Sequence, residues 1–139
     1  MAESRFSADL QRARTALVEA ELAERPSDRF LAAHLAALRV AATILSFRAH
    51  PAAGAQRTGP RNAWRLLADV APEFGEWAAF FAATKGKRDA IHAGATAIVS
   101  AREADDLLRD AQAFLALVER ALAHHERRAL PAEQGGRPS

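Results

Sequence analysis

Apolar residues recur at intervals of three and four along most of the chain, a spacing that is typical of amphipathic helices. Residues that favour strands are sparse, while alanine and leucine are abundant. The pattern therefore predicts an all-α, up-and-down bundle of about five to six helices. One helix should run from Pro72 to a turn at Lys85-Gly86-Lys87. The other predicted helices cover residues 8–24, 27–49, 61–70, 88–99 and 101–127.

Local signals define several helix ends and part of the core. Ser7 is expected to cap the first helix and Pro26 to end it. The helix capped by Ser27 has two adjacent apolar stripes, so we expect it to be central. Ser100 and Glu103 have the spacing of a capping box at the start of the last helix. Aromatic residues at helical spacing indicate core packing: Phe74, Trp77, Phe80 and Phe81.

The length fits a single domain, which we assign to residues 1–129. Residues 51–60 are typical of a mobile connector, and the polar, glycine-containing residues 130–139 of a disordered tail. The first residues lack the apolar core of a signal peptide, and arginine or histidine interrupts the longest apolar stretches within about 12 residues. We therefore expect a cytoplasmic protein that does not span a membrane.

Composition and missing motifs exclude several kinds of chemistry. The 139 residues contain no cysteine, which excludes disulfides, a thiolate zinc site and a cysteine nucleophile. No glycine-rich nucleotide loop and no nucleophile-elbow serine occurs. The acidic residues that begin the last helix suit the positive end of its dipole, and no Glu-x-x-His pair accompanies them. We expect neither a metal nor a cofactor.

Basic residues are concentrated in two places, although the formal net charge is only +2. One is an acid-free stretch at residues 48–65 that includes Arg57 and Arg61. The other contains four residues near the predicted turn: Lys85, Lys87, Arg88 and His92. Either cluster could bind phosphate groups or be an ordinary solvated surface. His34 falls on an apolar stripe, where we expect a half-buried side chain with one hydrogen bond.

Three segments resemble HEPN domains (higher eukaryotes and prokaryotes nucleotide-binding). The central helix SDRFLAAHLAALRVAATILSFRAHP is similar to the central HEPN helix, and SAREADDLLRDAQAFLALVERAL is similar to the closing one. The segment NAWRLLADVAPEFGEWAAFFAA resembles a small HEPN branch typical of high-GC Gram-positive bacteria. Together they cover about residues 7–124. The resemblance implies a helical bundle that commonly forms a homodimer.

HEPN ribonucleases carry an arginine, four to six residues, and then a histidine near the start of a late helix. The resemblance implies that His92 assists attack by the RNA 2′-hydroxyl while Arg88 holds the phosphate. The spacing departs from the family pattern, because only three residues separate Arg88 from His92. Lys87 and Lys85 have the family spacing, but lysine lacks the planar fork that holds phosphate through two hydrogen bonds.

These residues suggest three functions. The favoured one is a non-catalytic or weakly catalytic HEPN-type module that dimerises and binds RNA, nucleotide or a protein partner. Its nucleic-acid-binding residues would be Lys85, Lys87, Arg88, Arg57 and Arg61. The first alternative is a metal-independent ribonuclease that uses His92 with Arg88 or Lys87. The second is a structural protein-interaction domain whose last helix is a docking face.

Overall fold

The computed structural model describes residues 2–48 and 63–128, with side chains from residue 8 onward. Within these ranges the chain forms six α-helices and no strand, which confirms the all-α prediction. Short 3-10 turns at Pro72–Phe74 and Thr96–Ile98 precede the fourth and sixth helices. The helices are α1 (Ala2–Leu22), α2 (Pro26–Arg48), α3 (Ala63–Val70), α4 (Gly75–Ala83), α5 (Lys85–His92) and α6 (Ala101–Arg128).

The three long helices α1, α2 and α6 pack against one another. α1 and α2 are antiparallel, since Ser46 Oγ near the end of α2 donates to Asp9 Oδ2 near the start of α1 at 3.4 Å. α2 and α6 run parallel, since Arg29 Nη1 lies 2.5 Å from Asp105 Oδ1 near the start of both helices. The short helices α3 and α4 pack on each other, and α3 also contacts α2.

α2 is the central helix, as predicted, because it contacts α1, α3, α5 and α6. By length and composition α2 is also long and apolar enough to cross a membrane, although half of its most apolar stretch is buried in the bundle. The interruptions by His34 and Arg39 therefore do not exclude a span, contrary to expectation. A core helix of a soluble protein can be equally long and apolar, so the absence of a membrane span stays a prediction. The buried apolar residues of α2 are Phe30, Ala33, Ala36, Ala37, Val40, Ala41 and Ile44.

A cluster of aromatic rings forms the part of the core between α3, α4 and α6. Phe114 of α6 lies 5.3 Å from both Trp77 and Phe81, measured between ring centroids. It also lies 6.1 Å from Phe74 and 6.4 Å from Trp64. The predicted aromatic core is therefore present for Phe74, Trp77 and Phe81. Phe80 differs, because 42% of its surface is exposed.

Several helix ends differ from the predicted ones. α1 begins at Ala2, so Ser7 lies inside the helix and does not cap it. Pro26 begins α2 instead of ending α1; at the first helical position its missing N–H has no intrahelical partner to lose. The capping box is confirmed, since Glu103 N donates to Ser100 Oγ and Ser100 N to Glu103 Oε1, both at 3.0 Å. The predicted connector 51–60 and tail 130–139 lie outside the described residues.

Candidate functional site on helix α5

The basic residues near position 85 lie on a helix rather than in a turn. Lys85-Gly86-Lys87, the predicted turn, is the first turn of α5. Thr84 joins it to α4, because its N and Oγ1 donate to the Phe81 carbonyl at 3.0 and 2.7 Å. Arg88 N then donates to the Thr84 carbonyl at 3.1 Å and continues the helical pattern. α4 therefore passes into α5 with little loss of backbone hydrogen bonding.

α5 ends at His92, well before the predicted end at Val99. Gly94 has a φ of +110°, a backbone conformation that favours glycine over other residues. Ala95 N donates to the Ala90 carbonyl at 2.9 Å and closes the end of the helix. Gly94 therefore stops α5 and leaves His92 in its last turn.

Each of the three cations of α5 is paired with a carboxylate. Lys85 Nζ lies 2.6 Å from Asp89 Oδ2, and Arg88 Nη1 lies 3.1 Å from Asp89 Oδ1. Lys87 Nζ lies 2.5 Å from Glu103 Oε2 in the first turn of α6. Two carboxylates therefore neutralise most of the charge of the predicted phosphate-binding cluster.

The ion pairs also lower the pKa values of the two carboxyl groups. The hydrogen bond from Lys85 is the main cause that holds the pKa of Asp89 below its ordinary value. For Glu103 the hydrogen bond from Lys87 lowers the pKa most, followed by the backbone N–H of Ser100. Both carboxylates therefore stay ionised at neutral pH and keep competing with any phosphate for the cations.

His92 is exposed at the carboxyl end of α5. No hydrogen bond or ion pair joins it to another residue in the described part of the chain, so no neighbour there fixes its tautomer. Arg88 lies one turn earlier on the same helix, and 29% of its side chain is exposed. One copy of the chain thus places the two predicted catalytic residues on one helix but leaves the histidine open to solvent.

His34 is buried close to α5 and lacks the hydrogen bond that we expected. It is 1% exposed and meets the ring of Trp64 edge-on at a centroid distance of 6.3 Å. Neither ring nitrogen has a hydrogen-bond partner within the described ranges. Burial, followed by the positive charge of Arg88, lowers the pKa of His34 from 6.5 to about 4, against the opposing effect of the Phe81 carbonyl. The imidazole is therefore neutral at physiological pH.

Sequence reasoning missed Arg39, which lines a groove together with Arg88. The groove has a volume of about 340 Å³ and apolar walls that include Leu35 and Leu38. Arg39 is exposed and makes no ion pair with any residue that the structure describes. The available signal was an arginine between the leucines of an apolar stripe, a position where a core helix alone would favour another apolar residue.

The other basic cluster is described only in part. Arg57 and Arg61 lie outside the described residues, so their proposed role stays a prediction. Arg48 pairs with Glu73, and its hydrogen bond holds the pKa of Glu73 below its ordinary value. Arg65 is exposed on α3. No group of three or more His, Asp or Glu side chains suited to a metal ion occurs among the described residues.

A family model described as SAV_6107-like HEPN matches residues 20–119. The match includes α2, α5 and most of α6, and therefore Arg39, Arg88 and His92. The chain belongs to this HEPN family. Neither the curated proteins nor the solved structures give a match. Because HEPN domains include both ribonucleases and non-catalytic binders, the function of this HEPN domain has to be argued from the geometry around α5.

Proposed function

We propose that the chain is a non-catalytic or weakly catalytic HEPN module that dimerises and binds RNA or nucleotide beside α5. The observation that carries this proposal is the groove lined by Arg39, Arg88, Leu35 and Leu38. Guanidinium groups bind phosphate through two parallel hydrogen bonds, and leucine side chains offer an apolar surface for a base. The groove thus combines the two kinds of contact that a nucleotide unit needs.

The surroundings of His92 favour binding over catalysis. A ribonuclease needs a histidine held in one orientation and a cation that is free to stabilise charge on the phosphate. His92 has no partner within the described ranges, and Arg88 shares Asp89 with Lys85. Within a single copy, these residues are poorly prepared for general acid or base catalysis.

Exposed apolar side chains support self-association of the module. Val18 and Leu22 lie one turn apart on α1 and are 51% and 75% exposed. Ile98, between α5 and α6, is 42% exposed. Apolar side chains that stay outside the core of one copy are candidates for contact with a second.

RNA binding can be tested with a labelled, single-stranded 12-nucleotide RNA at low salt. We expect binding that weakens as salt rises, and an affinity lower by roughly five- to tenfold for Arg39→Gln and for Arg88→Gln, because each loses a charged hydrogen bond. Arg120→Gln is the matched control, since Arg120 is exposed on α6 and does not line the groove. Equal affinity of all four proteins would refute a binding site in this groove.

Catalysis by His92 is the second candidate, because Arg88 and His92 lie one turn apart and both reach the solvent. The same RNA, incubated with excess chelator, measures metal-independent cleavage. We expect no cleavage above the buffer control. Cleavage that is lost in His92→Ala, kept in His124→Ala and blocked by a 2′-deoxy substitution would instead establish the ribonuclease and overturn the non-catalytic function.

A further inference from the structure

A second surface lies between α4 and α6 and is lined by neither Arg88 nor His92. It consists of two adjoining hollows that share Phe80 and Asp110. One hollow has a volume of about 310 Å³ and also contains Glu76 and Trp77. The other has a volume of about 370 Å³ and includes Asp106, the apolar residue Leu107 and the ion pair of Lys87 with Glu103. We call this surface the aromatic-acidic groove and define it by Glu76, Trp77, Phe80, Asp106 and Asp110.

Two carboxylates of the groove, unlike their neighbours, make no ion pair with any residue that the structure describes. Asp106 pairs with Arg109, and Glu103 pairs with Lys87. Asp110 is partly buried, yet no ion pair to it occurs among the described residues, and the same holds for Glu76. Burial, followed by the negative charge of Asp106, raises the pKa of Asp110. The carboxylate of Asp110 is thus held where a positive charge from outside would stabilise it.

Aromatic rings stand beside these carboxylates in fixed positions. Trp77 stacks on Phe114 at 5.3 Å and on Phe81 at 6.1 Å, so the core holds its ring in place. Phe80 meets Phe81 edge-on at 5.0 Å and still exposes 42% of its surface. The face of an aromatic ring attracts a cation electrostatically, and more strongly when water is partly excluded. The groove therefore offers both an apolar platform and negative charge.

We propose that the aromatic-acidic groove binds an arginine side chain presented by a segment of a partner protein. A guanidinium group is planar, so it can stack on Phe80 or Trp77 while its N–H groups donate to Asp110 and Glu76. A lysine ammonium group is compact and strongly hydrated, and it gains less from an aromatic platform. This inference is independent of the RNA groove, because the two sites share no lining residue.

The test uses the full chain and a capped Gly-Arg-Gly-Arg-Gly peptide as the probe. The chain has two tryptophans, Trp64 and Trp77, whose indole N–H signals can be followed separately by NMR. We expect the Trp77 signal to shift with peptide concentration while the Trp64 signal, which belongs to a buried ring, stays nearly constant. A peptide with citrulline in place of arginine keeps the shape without the charge and should cause no shift, and the lysine peptide should bind more weakly.

Substitutions in the groove locate the binding. Asp110→Asn should weaken the peptide affinity about tenfold, because a charged hydrogen bond is lost, and Phe80→Ala should weaken it about threefold. Glu126→Gln removes one exposed carboxylate of the same helix outside the groove and should leave the affinity unchanged. Arg39→Gln should also have no effect, which separates this site from the RNA groove. Circular dichroism establishes that each variant keeps its helical fold.

Three results would overturn the proposal. One is a Trp77 signal that does not move at millimolar arginine peptide. Another is equal binding of the arginine and citrulline peptides. The third is a wild-type dimer, seen by analytical ultracentrifugation, that Asp110→Asn dissociates, since the groove would then be occupied by a second copy of the chain rather than by a partner segment.

Discussion

Among individual residues, His34 lies in surroundings that lower its pKa strongly, so that its imidazole resists protonation. Its pKa is about 4 in the folded chain, compared with an ordinary value of 6.5. Because the unfolded chain takes up the proton at a higher pH than the folded chain, acid favours unfolding. The stabilising contribution is complete above pH 6.5 and is lost as the pH falls toward 4. The total loss is roughly 3 kcal/mol.

We expect His34→Leu to remove this pH-dependent contribution. At neutral pH the free energy of unfolding should stay close to that of the wild type or rise, since an unpaired buried polar group is replaced by an apolar one of similar size. Between pH 7 and pH 4 the variant should lose less stability than the wild type in urea unfolding. His124→Leu, at an exposed position, is the control and should follow the wild type. Parallel losses in His34→Leu and the wild type would contradict the prediction.

The surroundings of single residues also include contacts that could not be predicted from the sequence. The apolar stripe predicted that His34 would face the core, but it could not show that neither ring nitrogen would have a hydrogen-bond partner among the described residues. As a lysine in a basic cluster, Lys87 was predicted to contact phosphate. In the structure it pairs with Glu103, which lies 16 positions later and comes close only where α5 and α6 meet. Charge clusters can be read from a sequence, but their neutralisation depends on contacts between distant segments.

At the scale of elements, Arg29 joins three helices at one end of the bundle. From α2 its Nε donates to the Ala20 carbonyl at 3.0 Å, and its Nη2 donates to the Ala23 carbonyl at 2.8 Å. These carbonyl groups lie in the last turn of α1 and just after it, where few helical N–H groups are available as donors. Its Nη1 lies 2.5 Å from Asp105 on α6. One guanidinium group therefore caps α1 and holds it to both long neighbours.

We expect Arg29→Lys to lower the free energy of unfolding by about 1–3 kcal/mol, since an ammonium group cannot reach all of these acceptors at once. Arg12→Lys is the matched control, because Arg12 is exposed on α1 and pairs only locally with Asp9. It should change stability by less than about 0.5 kcal/mol. Chemical denaturation of the three proteins measures the difference. Equal stabilities would mean that the Arg29 contacts are not required.

Some helix ends were predicted correctly and others were not, and each difference between prediction and structure has a local cause. Ser100 and Glu103 formed the expected capping box because both partners lie within one turn. Pro26 was assigned to the wrong side of a boundary, since proline suits the start of one helix as well as the end of another. Lys85-Gly86-Lys87 contains a glycine that suggests a turn, but the hydrogen bond from Arg88 N to Thr84 carries the chain into α5.

At the scale of the whole molecule, the bundle has two parts that meet at α2 and α6. The long helices α1, α2 and α6 contribute most of the helical residues, while α3, α4 and the 3-10 turn between them contribute five of the nine Phe and Trp residues. The all-α fold and the central place of α2 could be predicted because periodic apolar stripes directly specify buried faces. The two grooves could not, because each forms where helices far apart in the sequence meet.

Phe114 connects these two parts, so its substitution tests whether they unfold together. Both tryptophans lie in the aromatic part, so their fluorescence reports on α3 and α4, whereas far-UV circular dichroism reports mainly on the long helices. We expect coincident urea transitions for the wild type. Phe114→Leu should lose about 1–3 kcal/mol and move the fluorescence transition to lower urea than the dichroism transition. Leu17→Ala should shift both transitions together, because α1 packs on α2 and α6. Coincident transitions in Phe114→Leu would show that contacts other than this ring unite the two parts.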